Sequence, residues 1–139
     1  MAKSWRERMQ GGKPAQVEIL EKPFGSGMPS SRMLVADPRV VDAFIRATRP
    51  GALSTIAELR SELAAQHGAD ICCPISTSIF VRICAEAALA ELEMGRSAQE
   101  VTPFWRVVEP NGTLAKKLSC GTDFVTRMRS AESCGTAKS

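Results

Sequence analysis

Nowhere does the chain carry an apolar run approaching the roughly 20 residues that a membrane-spanning helix needs, so no membrane partner is expected. Residues 1–13 carry charges, but no apolar stretch or small-residue cleavage pattern follows them. A secretory signal is therefore not expected, and the cytoplasm is the expected location. Paired cysteine spacing is missing as well. The five cysteines (Cys72, Cys73, Cys84, Cys120, Cys134) are odd in number and two are adjacent, which suits reduced thiols better than a disulfide framework. Adjacent thiolates rarely reach one tetrahedral ion, and no second ligand pair exists, so no metal and no cofactor are expected. The single histidine, His67, is near Cys72 and Cys73 in sequence but falls in no recognised nucleophile motif. Its plainest role is at a helix C-terminus, favoured by the dipole, with the thiols buried and inert. An enzyme built on Cys72 or Cys73 is the weakest of the readings.

What remains is one domain's worth of chain. With 139 residues, 44% hydrophobic and 24% charged, it can bury a single core. Net charge is only +3, but it is unevenly spread. Residues 1–50 carry nine Lys/Arg against five Asp/Glu, residues 51–100 three against seven, and residues 101–139 six against three. The basic ends, with Lys13, Lys22, Arg32, Arg39, Arg46, Arg49 and Lys116-Lys117, form a footprint for a polyanion if they share one surface; otherwise they are a solvated surface.

Gly/Pro density through residues 11–29 predicts an irregular N-terminal extension over 1–32, relieved by a short helix at 4–9. A short strand is expected at 33–35. Asp37-Pro38 reads as an N-cap followed by proline at the first helical position, with Val40, Val41, Phe44 and Ile45 on one face and an end at Arg49-Pro50-Gly51. Thr55 and Glu58 have capping-box spacing before an Ala/Leu-rich helix ending at His67-Gly68. A third and longest helix is predicted over 76–93, capped by Ser76 or Thr77 and stopped at Gly95. Trp105 to Val108, the turn signal Pro110-Asn111-Gly112, and Thr113 to Ala115 read as a β-hairpin, and a last helix is predicted over 122–132 with a flexible tail at 133–139. Two helices joined by a turn and followed by a hairpin make the fold α+β, mostly α, of winged-helix type over 33–132.

The segment Thr102 to Leu114, with Pro103-Phe104-Trp105-Arg106-Val107-Val108 at its centre, resembles the active-site segment of the O6-alkylguanine-DNA alkyltransferase family. In that family a proline is followed by cysteine, histidine, arginine and two valines. Arg49 to Leu59 resembles the segment opening that family's first DNA-facing helix, and Gly121 to Glu132 is similar in spacing to its last helix, with Glu132 at the active-site glutamate. The blocks fall in the family's order and cover roughly residues 38–132. The family's acceptor is a cysteine thiolate activated by a histidine–glutamate relay, which takes an alkyl group from a flipped guanine. Here Phe104 and Trp105 occupy the cysteine and histidine positions, and neither is a nucleophile or base at neutral pH. Ile56 stands where the family has a tyrosine, and the chain has none.

The resemblance thus implies a non-catalytic, alkyltransferase-like protein that binds double-stranded DNA and senses modified or flipped bases. The residues implied at the DNA are Thr55, Ile56, Ser76, Thr77, Ser78, Arg82, Lys116 and Lys117. A base pocket would be formed by Phe104, Trp105, Arg106 and Glu132. The two aromatics either stack on a base or plug the old pocket, while Arg106 has a structural role, bonding to backbone. Glu86, Glu91 and Glu93 make the later half of the third helix acidic, so they must face away from a groove if this helix reads DNA. The alternative is a winged-helix-derived protein-interaction module that does not bind DNA.

Overall fold

A computed structural model describes residues 5–10, 15–20, 31–49, 51 and 53–138, those at 5, 6, 10, 19, 20, 31 and 133–138 by backbone alone. The elements are α1 (Trp5–Gln10), β1 (Gln16–Leu20), β2 (Ser31–Val35), α2 (Pro38–Arg46), α3 (Ile56–Gln66), β3 (Ile71–Cys72), α4 (Pro74–Glu93), a 3-10 turn (Phe104–Arg106), α5 (Thr113–Lys117) and α6 (Gly121–Lys138). The fold is α+β and mostly helical, with one three-stranded sheet in the order β1-β2-β3.

Asp37 does two jobs at the head of α2. Its Oδ1 accepts the Val40 N–H at 2.8 Å, capping the helix as the Asp-Pro pair predicts, and its Oδ2 accepts the Ala15 N–H at 2.9 Å beside β1. β1 runs antiparallel to β2, and β2 pairs parallel with β3 through Met33–Ile71 and Leu34–Cys72. Thr55 caps α3 by accepting the Glu58 N–H at 3.1 Å, again as its spacing predicts. The core lies along α4, where Thr77, Val81, Cys84 and Ala88 recur at helical spacing and are all buried. Leu34, Val41, Ile45, Leu59 and Leu63 close over this stripe from β2, α2 and α3. Each such buried aliphatic side chain contributes about 1.5–3 kcal/mol by leaving water.

Four expectations are corrected. The hairpin is not formed: residues 101–108 are buried without interruption, so their apolar run is core, and after Pro103 the chain coils into the 3-10 turn. The turn signal does produce a turn, with the Gly112 N–H donating to the Glu109 carbonyl at 3.0 Å, but it leads into α5 rather than a returning strand. α4 begins at Pro74, two residues before the expected caps, because proline at the first helical position presets φ and has no N–H to satisfy; its N-cap is Cys73. The segment 1–32 is not irregular throughout, since β1 joins the sheet. Finally, α6 continues past Glu132 to Lys138, where Ser133 and Gly135 had signalled fraying. Lys13, Lys22 and most of the predicted Gly/Pro loop lie outside the described residues.

Candidate functional site

The motif segment is held from three directions. Glu132, reaching in from α6, accepts from Trp105 Nε1 at 2.8 Å, from Arg106 Nε at 3.0 Å and from the Gly51 backbone N–H at 3.1 Å, and pairs with Arg106 NH2 at 2.9 Å. Arg106 NH1 donates to the Thr48 carbonyl at 2.6 Å, and the Arg106 carbonyl accepts the Ser54 N–H at 2.7 Å. Arg129, one turn before Glu132 on α6, donates from Nε to the Trp105 carbonyl at 2.7 Å. Burial raises the Glu132 carboxyl, but the hydrogen bonds from Arg106, Trp105 and Gly51 outweigh it and leave the group below the usual carboxylate range. The structural role expected of Arg106 is thus visible in named bonds: it staples the loop after α2 to the motif and to α6.

No open base pocket exists among these residues. Phe104 is 0% and Trp105 2% exposed. Trp105 packs edge-on against Phe104 with ring centroids 5.3 Å apart, and Phe104 stacks on Phe124 of α6 at 6.0 Å. Neither ring offers a free face on which a base could stack, so of the two readings the rings fit the plug. The expected pocket of Phe104, Trp105, Arg106 and Glu132 is a filled, internally bonded cluster. Glu132 Oε2 accepts from the indole and the guanidinium, Oε1 from the guanidinium and the Gly51 N–H, and Arg106 also bonds the Thr48 carbonyl, so these polar groups find their partners within the protein.

Of the eight residues expected at DNA, Ile56 and Ser78 meet at a cleft elsewhere on the molecule. This shallow cleft of about 270 Å³ brings together Ile56 and Arg60 from α3, Pro74 and Ser78 from α4, and Thr113 and Leu114 from α5. Thr55 and Ser76 are half-buried at the starts of α3 and α4, Arg82 is half-buried one turn beyond Ser78, and Lys116 and Lys117 are exposed on α5. Thr77 does not belong with them. It is fully buried, donating to the Cys73 carbonyl at 2.6 Å and meeting Cys72 Sγ at 3.1 Å. The two lysines sit on a helix rather than on a wing. Two side chains on the same stretch of α4 were missed: Ile75 and Ile79, 72% and 53% exposed, four residues apart. An apolar pair inside an apolar helix gives no sequence signal of exposure. In the acidic half of α4, Glu86 is buried and accepts from Ser119 Oγ at 2.5 Å, and Glu91 and Glu93 lie near the C-terminal end of the helix.

Among the described residues Cys72, Cys73, Cys84 and Cys120 are free thiols, and no group of three His, Cys, Asp or Glu is placed to hold a metal ion. Burial pushes the Cys72 and Cys84 thiols up. Cys73 differs: burial raises it, but hydrogen bonds from Ser76 and the Ile75 N–H at the start of α4 bring it below the usual thiol range. His67 ends α3 as expected, its Nδ1 2.9 Å from the Leu63 carbonyl. No described helix is long and apolar enough to cross a membrane. Comparison with protein-family models, with curated proteins and with solved structures finds no match.

Proposed function

We propose that the protein is a non-catalytic, alkyltransferase-like domain of winged-helix type that binds double-stranded DNA with the face formed by the starts of α3 and α4 and by α5. The observation that carries this reading is the convergence of those three segments on one cleft. The starts of two long helices bring backbone N–H groups and positive dipole ends to a common face, which favours phosphate. From Pro74 through Glu86 the only charges on α4 are Arg82 and the buried Glu86, so the exposed part of this stretch carries no carboxylate to repel a backbone. Arg60 and Glu109 line the cleft, and Lys116 and Lys117 are exposed further along α5, beyond the lining residues Thr113 and Leu114. In this reading the turn 109–112 and α5 stand where a wing would.

Alkyl transfer is not part of the proposal. The thiolate–imidazole pair that such chemistry needs is replaced by Phe104 and Trp105, and both are locked in the core. The same burial removes the means of stacking a flipped base, so base sensing through these rings is dropped. The experiment is a mobility shift at low salt on paired duplexes that differ by one O6-methylguanine. Binding to both with similar affinity, and no loss of the methyl group, is expected. No shift on either duplex overturns the reading.

A second reading is favoured by Ile75 and Ile79. Two isoleucines exposed side by side on one helix face are more typical of a protein interface than of a phosphate-binding surface. In that case the domain is an interaction module without DNA binding, and I75S/I79S abolishes co-purification of its partner.

A further inference from the structure

We propose that the cleft between α2 and α3 is a docking groove for a basic amphipathic helix of a partner protein, separate from the α4 face and independent of whether that face meets DNA. The cleft measures about 710 Å³. Its two walls differ in chemistry. Val40, Ala43 and Phe44 on α2 and Ala47 at its C-cap fall at positions i, i+3, i+4 and i+7, one apolar stripe in which Ala43 and Ala47 are exposed and Val40 and Phe44 half-buried. Leu53, 43% exposed, extends this apolar surface along the loop that joins the helices. Opposite, Glu58, Glu62 and Gln66 fall at i, i+4 and i+8 on α3 and are exposed. Ser54 Oγ donates to Glu58 Oε2 at 3.1 Å and holds the first carboxylate at the cleft.

A chain with net charge +3 therefore presents, in this one trough, two carboxylates a helical turn apart against an apolar stripe whose larger members, Val40 and Phe44, are half-buried against the core. Arg49 is the one Lys or Arg among the described lining residues. Duplex DNA is excluded by the carboxylates. A β-strand is excluded by topology, because every described lining residue comes from α2, α3, their connecting loop or His67 at the C-cap of α3, and none from a sheet edge. The stripe from Val40 to Ala47 spans about 10 Å, or two turns, which matches the i, i+3/i+4, i+7 anchors of a helix lying in a groove. Lys or Arg one turn apart along the flank of such a helix would meet Glu58 and Glu62. Ile56 and Arg60, two positions either side of Glu58, turn to the opposite side of α3, so the groove and the α4 face do not overlap.

The test uses a fluorescein-labelled amphipathic peptide of Leu, Ala and Lys, about 18 residues long so that it can hold a helix, and a counterpart with Glu in place of Lys. Anisotropy titrations are run on the full chain and on two variants at exposed positions, E58Q/E62Q and A47D, each checked for an unchanged circular dichroism spectrum. The Lys peptide should bind the parent with a dissociation constant on the order of 10–100 μM and at least about tenfold more tightly than the Glu peptide. E58Q/E62Q should erase that preference, and A47D should weaken the Lys peptide about tenfold by placing a charge in the stripe. Absence of Lys-peptide binding overturns the proposal, as does equal binding to parent and both variants.

Discussion

Glu132 is the residue on which the motif depends. It takes up the indole N–H of Trp105, the guanidinium of Arg106 and the amide of Gly51, so its removal leaves a nearly buried guanidinium with no carboxylate opposite it. Glu132→Ala should therefore destabilise by about 3 kcal/mol, the lower end for a broken buried pair because the side chain keeps 13% exposure. Equilibrium urea unfolding measures it, and a loss under about 1 kcal/mol would remove Glu132 from its central place. The same carboxyl sets an acid dependence. Its pKa is lowered on folding, so its contribution is present above the unfolded value of about 4.3 and disappears as pH falls through the folded value. The parent should lose stability below about pH 4 more steeply than Glu132→Ala does. At this scale the sequence was informative about position but not about state. Phe104, Trp105, Arg106 and Glu132 were picked out and do meet, but whether the rings line a pocket or fill it depends on Phe124 and on the bonds to Glu132, contacts that no local pattern encodes.

Among the elements, those with explicit start signals were legible. Asp37-Pro38 and Thr55 with Glu58 carry their reasons in two or three residues, and both caps are formed. Elements defined by long-range pairing were not. β1 has visible alternation, Val17 and Ile19 against Gln16 and Glu18, but glycines and prolines on both sides masked it, and β3 is two residues that become a strand only because β2 is beside them. The hairpin failed for a related reason. A short apolar run reads alike as a strand or as buried coil, and here burial on every side selected coil. Capping and exposure lead to opposite expectations for two substitutions on neighbouring helices. Thr55→Ala should cost about 1 kcal/mol through loss of the cap, whereas I75S/I79S should change stability by no more than about 0.5 kcal/mol because both side chains face solvent. Thermal melts of the two variants compare them directly; a large loss in I75S/I79S would mean that this face of α4 is packed rather than open.

At the scale of the whole molecule, the charges sort by surface. The acids that appeared to burden α4 are either buried, as Glu86 is, or placed at its far end, and the exposed acids of α3 line the groove against α2. The cleft at the starts of α3 and α4 holds Arg60 and Glu109, with Arg82 one turn beyond Ser78 and Lys116 and Lys117 exposed on α5. A molecule with a net charge of only +3 can then meet a polyanion with one face while Glu58 and Glu62 are kept to a separate groove. Such binding is electrostatic in origin and has a characteristic signature, because each neutralised phosphate contributes about −0.9 to the slope of log affinity against log salt. The measurement that bears most directly on this account is a fluorescence-anisotropy titration of a short duplex across a salt series, with the parent and with K116E/K117E. The account predicts a clearly negative slope for the parent and one shallower by about 2 in the variant, with weaker binding at every salt concentration. Parent binding that is absent at low salt, or a slope that the two lysines leave unchanged, would contradict it.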